Sequence, residues 1–152
     1  IAPGIRSLAD DGPHVRLAVS LTAATDELRG ALMPVNRTWD LATLKEALLY
    51  YQEKTGDRVT LEAAIMGGKN SSRESAAAMA AWIGALKAQV NIIAWNPIPS
   101  LPYREPSRDE MDAFMDELAS RGVNVERRAK RGRGVSGACG QLGDTLGANK
   151  PS

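Results

Sequence analysis

The apolar positions of this chain switch between two periods. Val15, Leu17 and Val19 alternate with polar neighbours, which predicts a strand over 14–20. Thr25 follows as an N-cap, with Asp26 and Glu27 favouring the positive end of a short helix and Pro34 just past its end. Asp40 caps a second helix on which Leu41, Leu44, Leu48 and Tyr51 share a face, and Gly56 suits its left-handed terminus. Val59 and Leu61 alternate with Thr60 and Glu62 in a second strand, after which 66–70 reads as a loop. Ser71 and Glu74 have capping-box spacing ahead of a helix with Met79, Ile83 and Leu86 as its core stripe. A third strand over 90–95 is cut off by Asn96 and Pro97, and a loop through Pro99 and Pro102 follows. Ser107 and Glu110 repeat the capping-box spacing before a helix carrying Met111, Phe114, Met115 and Leu118, which Gly122 ends. A last short strand over 123–125 runs into a basic segment.

This βαβαβαβ order predicts an α/β fold: a parallel sheet with right-handed crossovers, either a small open sheet or part of a βα-barrel. In both, ligands belong at the carboxyl ends of the strands. Those ends are Ser20-Leu21-Thr22, Ile65-Met66-Gly67-Gly68 and Asn96-Pro97. If the apolar sets pack on helices, then Arg16, Ala18, Ser20, Thr60 and Glu62 point the other way, into a lumen. A polar lumen suggests a site, not a purely structural core.

Length and composition narrow the classes. A chain of 152 residues, 43% hydrophobic and 24% charged, fits one ordinary globular domain. No apolar run approaches the ~18 residues of a membrane span and no stretch resembles a signal peptide, so a cytoplasmic location without membrane contact is expected. The one cysteine, Cys139, lies in Gly137-Ala138-Cys139-Gly140-Gln141-Leu142. It excludes an internal disulfide framework, and with His14 as the single histidine it leaves too few ligands for a zinc or iron–sulfur site. Small flexible neighbours make this an odd place for a packing thiol and a sensible one for a reacting thiol. Arg127, Arg128, Lys130, Arg131 and Arg133 gather just before it, against an overall charge of only +1. Such a patch reads either as a footprint for phosphate groups or as a solvated tail. The expected division is therefore 1–126 for the βα unit and 127–152 for the basic, cysteine-bearing tail.

Four segments, in order, resemble the C-terminal half of the radical S-adenosylmethionine (SAM) RNA adenine methyltransferases, the RlmN/Cfr family. Leu17-Ala18-Val19-Ser20-Leu21-Thr22-Ala23, with Asp26-Glu27-Leu28-Arg29 and Met33-Pro34-Val35-Asn36 beyond it, is similar to the family's Ser-Leu-His-Ala strand, acidic-Arg helix and Pro-Ile/Val-Asn. Val59-Thr60-Leu61-Glu62 stands in place of a strand carrying a Glu. Asn91-Ile92-Ile93-Ala94-Trp95-Asn96-Pro97, with Pro102-Tyr103 following, is similar to Asn-Leu-Ile-Pro-Trp-Asn-Pro. Ala138-Cys139-Gly140-Gln141-Leu142 is identical to the family's terminal motif. The sequence departs at Thr22, where the family has His, at Ser100 in place of Gly, at Arg133-Gly134-Val135-Ser136, and over 63–68.

The resemblance implies part of a radical-SAM partial (βα)6 barrel with a C-terminal cysteine-bearing tail. It implies that Ser20, Leu21, Thr22 and Asn96 contact SAM. Cys139 would carry a methyl group from one SAM to adenine C2 or C8, after a second SAM is cleaved at a [4Fe–4S] cluster. Polar methyl transfer does not serve, because adenine C2 is not nucleophilic. The cluster motif, resolving cysteine and catalytic Glu of the family have no counterpart here, and the resemblance puts them N-terminal to Ile1. The expectation is thus the C-terminal half of an enzyme acting on 23S rRNA and transfer RNA, inactive alone and partnered by its N-terminal half or by itself through an exposed strand edge. The basic residues Arg127, Arg128, Lys130, Arg131 and Arg133 would hold RNA phosphates. A non-catalytic RNA-binding relative with the same scaffold is the competing class. An ordinary polar SAM methyltransferase is weaker still, since no Gly-rich loop follows the first strand.

Overall fold

The computed structural model describes residues 1–13 and 15–128. It opens with a helix not expected from the sequence, α1 (Ala2–Asp11), with Pro3 in its first turn. Then follow β1 (Ala18–Ser20), α2 (Asp26–Leu32), a 3-10 turn (Pro34–Arg37), α3 (Leu41–Thr55), β2 (Val59–Ile65), α4 (Arg73–Ile83), β3 (Ala88–Ala94), α5 (Arg108–Ser120) and β4 (Asn124–Arg127). The four strands form one sheet in the order β1-β2-β3-β4, all pairs parallel, with helices in every connection. A parallel pair needs such a crossover, so the alternating pattern dictates this topology.

The caps explain where several helices begin. Thr25 and Asp40 accept from the N–H groups of Leu28 and Thr43, and Ser107 and Glu110 form a reciprocal capping box. Each satisfies donors that the first helical turn leaves without partners. Gly56 closes α3 with φ at 74°, a conformation glycine adopts without steric cost.

Four expectations shift. The cap of α4 is Ser72, accepting from Ser75 N–H, because the Ser71 hydroxyl is drawn instead to Glu110, 2.7 Å away. Leu86 is buried, but in the turn after Gly84 and not on α4. The first strand pairs only over Ala18–Ser20, and Val15 ahead of it is 45% exposed. The last strand runs on through Arg127.

The sheet has two unlike faces. Val19, Leu61, Val90 and Val125 lie side by side in register, and with Val59, Ala63, Ile65 and Ile92 they pack into the core with side chains of the helices. Tyr51, Leu44 and Leu48 of α3, Met79 and Ile83 of α4, and Met111, Phe114 and Leu118 of α5 complete that layer. Burying such a side chain contributes about 1.5–3 kcal/mol. Helix α1 adds Ala2 and Ile5, and Tyr50 of α3 donates to Asp10 at 2.5 Å. On the other face Thr60, Glu62, Ala64, Gln89, Asn91 and Ile93 are all only half-buried.

Adjacent residues of β3 test this two-faced sheet. Ile92→Ala should cost about 2–5 kcal/mol in urea unfolding, whereas Ile93→Ala should cost about 1 kcal/mol or less. Equal losses would mean that both faces are packed.

Candidate functional site

The carboxyl end of β1 is where the backbone departs most from ordinary geometry. Thr22, 6% exposed, has φ at 60°, the one positive φ outside glycine among the described residues. A β-branched residue held there stores strain of about 1–3 kcal/mol, so its surroundings must over-determine it. They do. Leu21 and Thr22 N–H both donate to Glu62 O, at 2.8 and 3.3 Å. On the acceptor side, Ser20 O and Leu21 O are held by Arg29, and Thr22 O by Asn70.

Arg29 is 1% exposed, an unusual place for a cation. Its guanidinium donates to Ser20 O (3.3 Å), Leu21 O (3.2 Å), Trp39 O (3.4 Å) and Asn36 Oδ1 (2.6 Å). Asn36 passes the interaction on, donating to Asp26 Oδ1 at 2.9 Å, and the same oxygen accepts from Leu41 N–H at the start of α3. Burial lowers the Arg29 pKa and the Asp26 charge opposes that, but a guanidinium stays protonated in proteins. The Asp26, Arg29 and Asn36 segments therefore form one polar network beneath the end of β1, buried at Arg29 and Asn36 and exposed at Asp26.

The end of β2 is tied to α5. Glu110 accepts from Arg104 at 2.7 and 2.8 Å, from Ser71 Oγ at 2.7 Å, and from the N–H groups of Gly68 (3.0 Å) and Ser107 (2.8 Å). Gly67 N–H also donates to Arg104 O, and a Cβ at Gly67 would overlap the Arg104 guanidinium. At the end of β3, Trp95 N–H donates to Ile65 O, and its ring meets Tyr103 edge-on at 6.1 Å. Asn96 follows, half-buried.

Between these ends the open face carries a polar row. Ser20, Glu62, Asn91 and Glu126 are register partners across all four strands. Asn91 Nδ2 and Arg128 donate to Glu62 Oε1, at 3.1 and 3.3 Å. Glu62 Oε2 and Asn91 Oδ1 are buried without a hydrogen-bond partner among the described residues. Buried polar atoms are normally satisfied, so two orphaned acceptors side by side call for donors from a ligand, such as hydroxyl or ammonium groups.

The expected site residues fall out as follows. Ser20 is exposed beside Glu62, while the Leu21 side chain is fully buried, so Leu21 can act through its backbone only. Thr22 and Asn96 lie at the ends of β1 and β3, on either side of β2. Arg127 and Arg128 pair with Asp112 and Glu62 at 3.4 and 3.3 Å, and both side chains stay over two-fifths exposed. Lys130, Arg131, Arg133 and Cys139 lie outside the described residues. Asn70 and Asn91 carry no role in the sequence reading, because their partners are strands away.

Comparison with known proteins places relatives beside this geometry. No family profile matches the chain. A probable dual-specificity RNA methyltransferase RlmN from Treponema denticola is 43% identical over 145 residues, covering 95% of this chain and 42% of that protein. The dual-specificity RNA methyltransferase RlmN of Anaeromyxobacter sp. is 40% identical, covering 99% and 40%. The crystal structure of a radical SAM methyltransferase from Sphaerobacter thermophilus superposes with a TM-score of 0.90 at 38% identity, over 93% of this chain and 41% of that one.

Over nearly its whole length the chain is similar to one part of the radical SAM RNA methyltransferases of the RlmN type. It spans about two fifths of the length of the curated relatives it matches. A domain of pyruvate-formate lyase-activating enzyme from Bacteroides vulgatus, at 11% identity and a TM-score of 0.59, shares the fold alone. Of the two architectures open from sequence, the parallel sheet is thus part of a radical-SAM partial barrel. The donor-hungry row of the open face fits SAM, which brings ribose hydroxyls and an ammonium group. A [4Fe–4S] cluster does not fit these residues: the sequence has one cysteine, and no group of three His, Cys, Asp or Glu among the described residues could hold a metal. Nor is any described helix long and apolar enough to cross a membrane.

Two outcomes test the scaffold of the site. Arg29→Met removes the donor shared by three carbonyls and the Asn36 side chain and should cost about 3 kcal/mol in chemical unfolding; a loss under about 1 kcal/mol would make the network dispensable. The Glu110 carboxyl is held well below its ordinary 4.5, chiefly by the Arg104 hydrogen bonds, against the opposing effect of burial and with help from Ser107, Ser71 and Gly68. A pKa lower in the folded than in the unfolded state adds stability above about pH 4.5 that drains away as pH falls. Relative to Glu110→Gln, the native chain should therefore lose stability from about pH 5 downward, read from melting temperatures across pH.

Proposed function

We propose that this chain is the C-terminal part of a cytoplasmic radical SAM methyltransferase that methylates adenine, at C2 or C8, in 23S rRNA and transfer RNA through an S-methylated Cys139. The observation that carries this reading is the polar row of the open sheet face, with its two orphaned acceptors beside Ser20, in a chain of RlmN type.

In this reading Ser20, Leu21, Thr22 and Asn96 hold SAM at the strand ends, and Glu62 and Asn91 accept from its hydroxyl or ammonium donors. SAM supplies the methyl group and the radical chemistry when bound. The Cys139 thiolate, a good nucleophile, would take the methyl group from one SAM, which leaves as S-adenosylhomocysteine; passing that carbon to the base would need the radical chemistry of a second SAM and release of the sulfur by a resolving thiol of the N-terminal half. Gly137 and Gly140 beside it leave the backbone free to turn. Arg127, Arg128, Lys130, Arg131 and Arg133 meet RNA phosphates, which gives salt-sensitive affinity without base specificity. The cluster ligands belong to an N-terminal half, which pairs with the short edge strand β1; the isolated chain transfers no methyl group and self-associates through that edge.

Full-length protein tests the reading. Mass spectrometry should find the Cys139 peptide heavier by a methyl group, and Cys139→Ala should abolish methylation of 23S rRNA fragments. Glu62→Gln should weaken SAM binding about tenfold. An active enzyme with unmodified Cys139 would sink the mechanism.

A further inference from the structure

Three successive carbonyls at the end of β1 are held by side chains, and the two holders do different work. Arg29 binds Ser20 O and Leu21 O, where the chain is still finishing its strand. Asn70 binds Thr22 O, the carbonyl of the residue with φ at 60°. The Asn70 side chain is fully committed: Nδ2 donates to Thr22 O at 2.9 Å and to Ala64 O at 2.8 Å, while Oδ1 accepts from Met66 N–H at 2.7 Å. It is 1% exposed, so water cannot replace these bonds. One amide thus crosslinks the carboxyl ends of β1 and β2 at the single non-glycine residue in a left-handed conformation among those described.

We infer that Asn70 is a positioning residue for the cofactor site: by holding Thr22 left-handed it fixes the Ser20-Leu21-Thr22 segment in the geometry that binds SAM. This rests on the reading that the segment contacts SAM. A threonine freed of the tether relaxes to negative φ, because its branched Cβ crowds the backbone in the left-handed region. The turn after β1 then redirects, carrying Ser20 out of line with Glu62. A glycine would hold the same turn without the tether, since it populates positive φ as readily as negative.

That asymmetry supplies the experiment. Anaerobically reconstituted full-length protein is titrated with SAM by equilibrium dialysis, alongside melting curves for each variant. Asn70→Ala should raise the SAM Kd at least tenfold, and Thr22→Gly introduced into Asn70→Ala should recover at least fivefold of that loss. Asn70→Asp, which keeps the acceptor for Met66 and deletes the donor, is read in the same way and serves if the alanine variant does not fold. Ser20→Ala is the reference for the site itself. Native affinity in Asn70→Ala, with affinity lost in Ser20→Ala, would overturn the inference and leave the SAM site standing. A double variant as weak as Asn70→Ala would also overturn it, since a plain loop tether predicts no rescue by glycine. Absence of saturable SAM binding in the unmutated protein would remove the SAM reading and this inference together.

Discussion

A buried guanidinium organises the molecule. Arg29 sits where a cation costs most, and what makes it tolerable is an acceptor for each of its three nitrogens, drawn from three parts of the chain: the end of β1, the Trp39 carbonyl and Asn36. Removing any of these would leave a desolvated charge short of partners. The end of β1, helix α2, the 3-10 turn and the first residue of α3 are therefore bound into one unit through Asp26 and Asn36. Because β1 is only three residues long, its own ladder cannot set the position of its carboxyl end. The network below it does.

Around that anchor the strand ends are tied in sequence. Asn70 joins the end of β1 to that of β2, and Glu110 with Arg104 joins the loop after β2 to the start of α5. The ties are polar and directional, unlike the apolar layer beneath the sheet. Packing alone fixes which face is covered; these hydrogen bonds fix where the ends of the strands stand. A ligand site at those ends needs the second kind of constraint, because small displacements there alter contacts with a bound molecule.

Much of this was legible in the sequence, and what was not follows a rule of distance. Alternation of Val59, Leu61 and their polar neighbours revealed the two faces of β2, and the caps at Thr25, Asp40 and Ser107 were readable because each acts within a single turn. Ser71 misled for a tertiary reason: its hydroxyl meets Glu110, 39 residues away, which leaves Ser72 to cap α4. Helix α1 is hard to read although Ala2, Ile5, Leu8 and Ala9 share one face, since Gly4 and the acidic end of the segment blur a short pattern. Asn70 looked like an ordinary loop residue because its partner Thr22 lies 48 positions earlier. The motifs around Arg29 and Asn36 were visible as a resemblance, but their physical purpose appears only when the carbonyls they hold are seen.

The exit from the sheet has a consequence for the chain beyond it. Arg128 is fastened twice, its N–H to Ile92 O and its guanidinium to Glu62. Cys139 follows eleven residues later, and a polypeptide of that length reaches no further than about 40 Å. The reach of the proposed methyl carrier is thus measured from a pivot that adjoins the polar row. Attachment to one chain makes an encounter intramolecular, so under the proposed role the meeting of thiol and polar row does not depend on how much protein the cell contains.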